Sequence, residues 1–291
     1  MRLNTLVLAA IWWCWSCSDK ATAEFVYVSV VDGNFELFVR FVDDTVAHNL
    51  TNDPALDYTP GWSWDGAQVV FYSNRAGNYD VYTMSPLGSD VRNVTSHPAQ
   101  DMHPAPGPNG QIVFVSDRDG NRELYLVDAS GAEVRRLTTN DYYDGGAAWS
   151  PDGTRLVYAA SPGGSGDIFV LSIATGEIRP LAATPGHDDS PAWSPDGRRI
   201  AFNGASGDTV SIYLIDTTGS NLSRLPNVHR DERHPRWSPD GQWLLYTVAT
   251  DTDAGLDTDV WMMRPDGTDR RAVVATPNRD ELAVWRPRTQ R

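Results

Sequence analysis

An acidic residue recurs at one fixed place along this 291-residue chain. It stands five positions before a tryptophan, or before the proline that replaces one, in six successive units: Asp57, Asp101, Asp144, Asp188, Glu232 and Asp280. If the units surround an axis, the six carboxylates encircle the mouth of a channel, where they would concentrate cations or meet a basic partner. Oxygen ligands of this kind suit Ca²⁺ or another divalent cation. The alternative is structural, with each acid bonding backbone N–H groups inside its own unit.

Histidines break this symmetry. His103 and His234 each stand three positions before the landmark residue, and His187 directly precedes Asp188. Imidazole nitrogens with neighbouring carboxylates are ligands for transition metals, so the three histidines form an alternative metal site in the channel. Surface or hydrogen-bonding roles are the competing interpretation.

The elements that position these residues come from a repeat. The string Trp-Ser-Pro-Asp-Gly starts at Trp149, Trp193 and Trp237, with altered copies at Trp62, Pro106 and Trp285. Successive copies lie 44, 43, 44, 44 and 48 residues apart. Each unit reads as four short strands rich in branched and aromatic residues. Units of about 40 residues with four strands are typical of propeller blades. We therefore predict an all-β, six-bladed β-propeller.

The two ends of the chain complete the predicted ring. Phe25–Ser29 begins a blade that lacks its first strand, and Leu282–Arg286 supplies that strand from the far end. Pairing of N- and C-terminal strands would close the ring and remove exposed sheet edges. We expect residues 24–291 to form this one domain.

The first residues predict export. Leu6–Trp15 is an apolar run of ten, too short to span a bilayer but typical of a secretory signal. Cleavage after Ala23 would make residues 1–23 a signal peptide. Alternatively, a lipoprotein signal would end at residue 16 and leave Cys17 lipidated, so the protein would be anchored to the membrane. Both routes predict a periplasmic or extracellular protein.

Composition excludes several function classes. The net charge of −14 makes nucleic acid a poor partner. Lys20 is the sole lysine and the two cysteines are Cys14 and Cys17, so the predicted mature domain has no lysine or thiol for covalent catalysis. We expect a monomer without a transmembrane helix.

The repeat Trp-Ser-Pro-Asp-Gly, followed by a strand such as Asp167–Ile173, resembles the WD-like repeat of the TolB propeller family. The resemblance covers residues 25–287 and implies a six-bladed propeller. TolB itself is periplasmic, binds other proteins and carries an extra N-terminal domain, which this chain is expected to lack.

The function predicted from the sequence is a non-catalytic scaffold of the cell envelope that binds a protein or small ligand and needs no cofactor. The alternative, implied by related propeller lyases, is a metal-dependent polysaccharide lyase or hydrolase with its site at the channel. A peptidase is set aside because no Gly-x-Ser-x-Gly elbow exists in the sequence.

Overall fold

The computed structural model describes residues 23–128, 130–252 and 255–287. Residues 1–22 of the predicted signal segment, including Cys17, lie outside this range. The described part contains strands and one short 3₁₀ turn, Pro108–Gly110. In this part no helix is long and apolar enough to cross a membrane.

The strands follow a four-part order that repeats along the chain. First strands are β4 (Asp57–Trp62), β8 (Asp101–Pro106), β12 (Asp144–Trp149), β16 (Asp188–Trp193), β20 (Asp231–Trp237) and β24 (Asp280–Trp285). Second strands are β1 (Glu24–Val31), β5 (Val69–Ser73), β9 (Ile112–Ser116), β13 (Arg155–Ala160), β17 (Arg199–Ser206) and β21 (Leu244–Thr252). Third strands are β2 (Asn34–Phe41), β6 (Asp80–Met84), β10 (Glu123–Val127), β14 (Asp167–Ser172), β18 (Thr209–Asp216) and β22 (Gly255–Met263). Fourth strands are β3 (His48–Asn49), β7 (Arg92–Asn93), β11 (Val134–Arg136), β15 (Ile178–Ala182), β19 (Ser223–Arg224) and β23 (Arg271–Val274).

The repeated Ser-Pro-Asp-Gly string forms the turn between first and second strands. The Ser150 hydroxyl donates to Asp152 Oδ1 at 2.6 Å, and the Gly153 N–H donates to the Ser150 carbonyl at 2.8 Å. Gly153 has φ +69°, a left-handed conformation that glycine adopts without steric cost. This turn fixes which residues pair across β12 and β13.

Antiparallel pairing builds four sheets of four strands and one of eight. In the eight-stranded sheet, two four-stranded halves are linked by a single parallel bridge between Val210 and Asp231. One four-stranded sheet combines both chain ends, because β24 pairs with β1 and places Trp285 opposite Phe25. The sequence therefore predicted the partner of the C-terminal strand correctly.

The core lies between sheets. Each hydrophobic cluster joins residues of two consecutive repeats; one joins Val157 and Val170 to Trp193 and Phe202 of the next repeat. Another joins Leu245 and its neighbours to Phe25 and Trp285. The tryptophan that ends a first strand is therefore a wedge between sheets, and burying such a side chain stabilises the fold by about 2–3 kcal/mol.

Candidate functional site

The six first strands share a β-bulge close to their third residue, counted from the recurring acid. The pairing of each first strand with its second strand shifts register there. At that position the backbone is left-handed, with φ between 46° and 55°, in Thr59, His103, Gly146, Ser190, His234 and Leu282. Five of these residues carry a side chain, which makes this conformation sterically costly. The bulge is a common feature of the strands and re-aims the residues that carry it.

These six third-position residues line one cavity of about 150 Å³. Each first strand also contacts the first strand of the next repeat, and β24 contacts β4. A cavity bounded by six repeats in this way lies where the first strands converge. Its other polar lining side chains are Tyr58, Tyr143, Ser161, His187, Asp189 and Arg236.

Arg236 introduces a positive charge into this cavity. It occupies the fifth position counted from the recurring acid, where the other first strands have Gly61, Ala105, Ala148, Ala192 and Val284. Its Nη1 donates to the carbonyls of Ser190 (3.2 Å) and Pro235 (2.9 Å). Its Nε and Nη2 have no protein acceptor among the described residues.

Burial controls the charge of the neighbouring groups. It lowers the pKa of Arg236 to about 10, while nearby Asp189 opposes that shift, so the guanidinium stays charged at neutral pH. Burial, together with Arg236, Arg233 and His103, lowers the pKa of His234 to about 3. Burial also lowers the pKa of His103. Both imidazoles are therefore neutral under ordinary conditions, and Arg236 supplies the positive charge.

The three histidines predicted as metal ligands line this same cavity. The His103 ring contacts the Tyr72 ring edge-on, 5.5 Å between centroids, and His187 Nδ1 accepts the Gly166 N–H at 2.8 Å. Among the residues that the structure describes, no group of three or more His, Cys, Asp or Glu side chains could hold a metal ion. The three histidines therefore share a cavity, and their binding of a metal stays a prediction.

The six recurring acids occupy different surroundings. All are fully buried and none lines the cavity. Asp57, Asp101 and Glu232 pair with arginines: Asp57 with Arg75 at 2.8 and 3.0 Å, Asp101 with Arg118, and Glu232 with Arg270.

The remaining three acids lack an arginine partner in the described part of the chain. Asp144 accepts from Asn140 Nδ2, Asp188 from the Thr184 hydroxyl and N–H, and Asp280 from those of Thr276. Their partners lie within the loops that precede the first strands, so these carboxylates tie each loop to the following strand. Each of the six acids therefore accepts hydrogen bonds within the fold, which favours the structural alternative, although Asp144 Oδ1 and Asp280 Oδ1 have no partner among the described residues.

The rim of the cavity is aromatic. Tyr143 is partly exposed, and Arg122 both stacks on its ring at 5.3 Å and donates to its hydroxyl at 3.3 Å. On another wall, the Tyr58 hydroxyl donates to Glu281 at 2.6 Å. Such residues offer apolar area beside polar groups, a combination typical of binding surfaces.

The sequence pattern predicted the recurring acid, which is position one in the count used for each first strand. It did not predict a role for Arg236 or Asp189. Aligning the six first strands would have singled out Arg236, because four of the other residues at position five are glycine or alanine. The cavity-lining role of position three has no such signal, since its residues are chemically unrelated.

The family model of the TolB beta propeller domain matches residues 15–163 and 146–291. The chain belongs to the TolB β-propeller family. The structure of TolB from Acinetobacter baumannii has a TM-score of 0.79 at 22% identity, covering 91% of this chain and 67% of that one.

Two further comparisons concern a shorter match and a looser structural match. An uncharacterized protein of Agrobacterium fabrum, Atu1656, is 30% identical over 109 residues, which is 38% of this chain and 36% of its own length. An oligogalacturonate lyase from Vibrio parahaemolyticus has a TM-score of 0.57 at 19% identity, over 88% of this chain and 73% of that one. At this level of identity, the likeness concerns the fold.

Proposed function

We propose that this chain is an exported, non-catalytic propeller that binds a protein or small ligand at its central channel. The observation that carries the proposal is the cavity: six first strands contribute its wall, and one of them places Arg236 where the others have an uncharged residue. Rigid strands with a partly open, mixed polar and aromatic cavity suit binding. We infer a periplasmic or extracellular location from the predicted signal, with an envelope protein or small ligand as the partner.

We also propose that the repeats make six blades in a closed ring. The eight-stranded sheet would then be two neighbouring blades joined by the bridge at Val210. Contacts between successive first strands, including β24 with β4, support this arrangement. A closed ring gives the channel a fixed diameter, which favours selective binding.

A test of the binding function uses two matched substitutions. Ser161→Trp places a large side chain in the cavity, which Ser161 lines. Ser220→Trp adds the same bulk at an exposed turn outside the cavity. Each tagged mature protein would be incubated with envelope extract, and captured proteins and small molecules identified by mass spectrometry. We expect wild type and Ser220→Trp to retain the same partner and Ser161→Trp to lose it. Equal capture by all three would refute binding at the cavity.

The second candidate is a metal-dependent polysaccharide lyase or hydrolase. Its support is that His103, His187 and His234 line one cavity. Metal analysis of the purified protein separates the two functions. Stoichiometric metal that is lost in His103→Ala or His234→Ala would favour the enzyme, because a non-catalytic scaffold requires no such ion.

A further inference from the structure

Arg236 is the starting point for identifying what the cavity binds. A guanidinium carries five N–H donors in a planar fork. Nη1 of Arg236 is engaged by two backbone carbonyls, which hold the group in place, while Nε and Nη2 are left without a protein acceptor in the described residues. The free edge of the fork therefore offers parallel donors at a fixed position.

No acidic side chain among the described residues accepts a hydrogen bond from Nε or Nη2 of Arg236. Asp189 lines the same cavity and favours the charged form of Arg236, yet the two form no ion pair in the structure. Instead Asp189 Oδ1 accepts the N–H of Ser190 at 2.6 Å. By contrast Arg233, three residues before Arg236 on the same strand, is paired with Asp231.

We propose that the cavity binds a carboxylate, held by the free Nε–Nη2 edge of Arg236. This inference rests on the proposed binding function and names the chemical group recognised. Two parallel N–H donors match the two oxygens of one carboxylate. A doubly charged phosphate would need more than this one guanidinium inside the cavity, because burial lowers the pKa of His103 and of His234 and Asp189 is an acid.

The size of the cavity limits how much of the ligand enters. About 150 Å³ is below the roughly 300–1,000 Å³ typical of sites that enclose a drug-sized molecule. The cavity therefore takes a small organic acid, or the Asp, Glu or C-terminal carboxylate of a protein that docks at the rim.

The primary test is a titration with sodium acetate at constant ionic strength. The NMR chemical shifts of the Gly146 and Ala147 amides, which lie in the cavity wall, are recorded at each acetate concentration. We expect a saturable shift in wild type and at least tenfold weaker binding in Arg236→Gln, the loss expected for a hydrogen bond to a charged group. Asp189→Asn removes a competing negative charge and should bind acetate more tightly. Arg233→Gln, the matched control, should bind like wild type.

Several results would overturn the inference. These are the absence of a saturable shift in wild type, equal acetate binding by Arg236→Gln, or tighter binding of inorganic phosphate than of acetate. Opposite effects of Arg236→Gln and Asp189→Asn cannot arise from general unfolding, and thermal denaturation of each variant checks this point.

Envelope extract separates the two sources of the carboxylate. A small acid would give the same amide shifts with the dialysable fraction, and a protein would give them with the retained fraction. If Arg236→Gln captures the same partner as wild type while Ser161→Trp does not, binding at the cavity stands and the carboxylate inference fails.

Discussion

At the scale of single residues, the recurring acids show how one side chain is stabilised differently in successive repeats. Asp57 is fully buried and bonded by both oxygens to Arg75, whose guanidinium also stacks on Phe71 and Tyr82. Asp144 is equally buried, but its Oδ1 has no hydrogen-bond partner in the described structure. Burial and nearby Glu123 raise the pKa of Asp144 to about 7.

This difference predicts that the same substitution has different effects on stability at the two positions. Asp57→Asn leaves Arg75 without its counterion and should lower the free energy of unfolding by about 2–3 kcal/mol, since Arg75 is partly exposed. Asp144→Asn mimics the protonated acid and should be neutral or stabilising at pH 8. Urea denaturation of both variants provides the measurement. Equal destabilisation would contradict the assigned environments.

The pH dependence of Asp144→Asn follows from the same raised pKa. The folded protein holds this proton more tightly than the unfolded chain, whose aspartates have a pKa near 3.9. Wild type therefore loses stability through this group as pH rises from about 4 to about 7. Relative to wild type, Asp144→Asn should gain stability across that window, and a constant difference would argue against a raised pKa.

The roles of the individual residues could be predicted only in part from the sequence. The acids were found because they recur, and their hydrogen-bonded role was the favoured alternative for the same reason. Arg236 was not predicted because an isolated arginine is not among the residue types that indicate catalysis or metal binding. Which residues enter the cavity depends on the bulge, and the third position contains threonine, histidine, glycine, serine and leucine in different repeats.

At the scale of elements, strand β24 links the sheet of the N-terminal strand to the next sheet. Trp285 meets the Phe25 ring edge-on at 6.1 Å, and the Val284 carbonyl accepts the indole N–H of Trp62 at 3.2 Å. β24 therefore connects the N-terminal strand to the following sheet. Its partner was predictable because β1 lacked a first strand in the repeat pattern, whereas the register shift near Val26 was not.

Deleting residues 279–291 tests this role. The deletion exposes the edge of β1 and uncovers Phe25 and Trp62, so we expect thermal unfolding to lose its single cooperative transition. Deleting residues 288–291 leaves β24 intact and should preserve the transition. Circular dichroism measures both. An unchanged midpoint in the longer deletion would show that β24 is dispensable.

At the scale of the whole molecule, repetition supplies the fold and its exceptions supply the candidate site. The repeat spacing predicted the order of strands and the packing of tryptophans between sheets, because each unit buries its faces against its neighbours. The spacing could not predict the cavity, which depends on how six first strands converge. A ligand bound in this cavity would contact positions at which the repeats differ, above all Arg236.

Site-specific photocrosslinking tests binding at the channel most directly. A photoreactive phenylalanine derivative would replace Tyr143 at the cavity rim or Ile178 on the outer strand β15, which are 39% and 41% exposed. After illumination in envelope extract, intact-mass analysis would detect both protein and small-molecule adducts. Binding at the channel predicts a specific adduct at position 143 and none at position 178. An adduct at 178 alone, or none at 143, would contradict it.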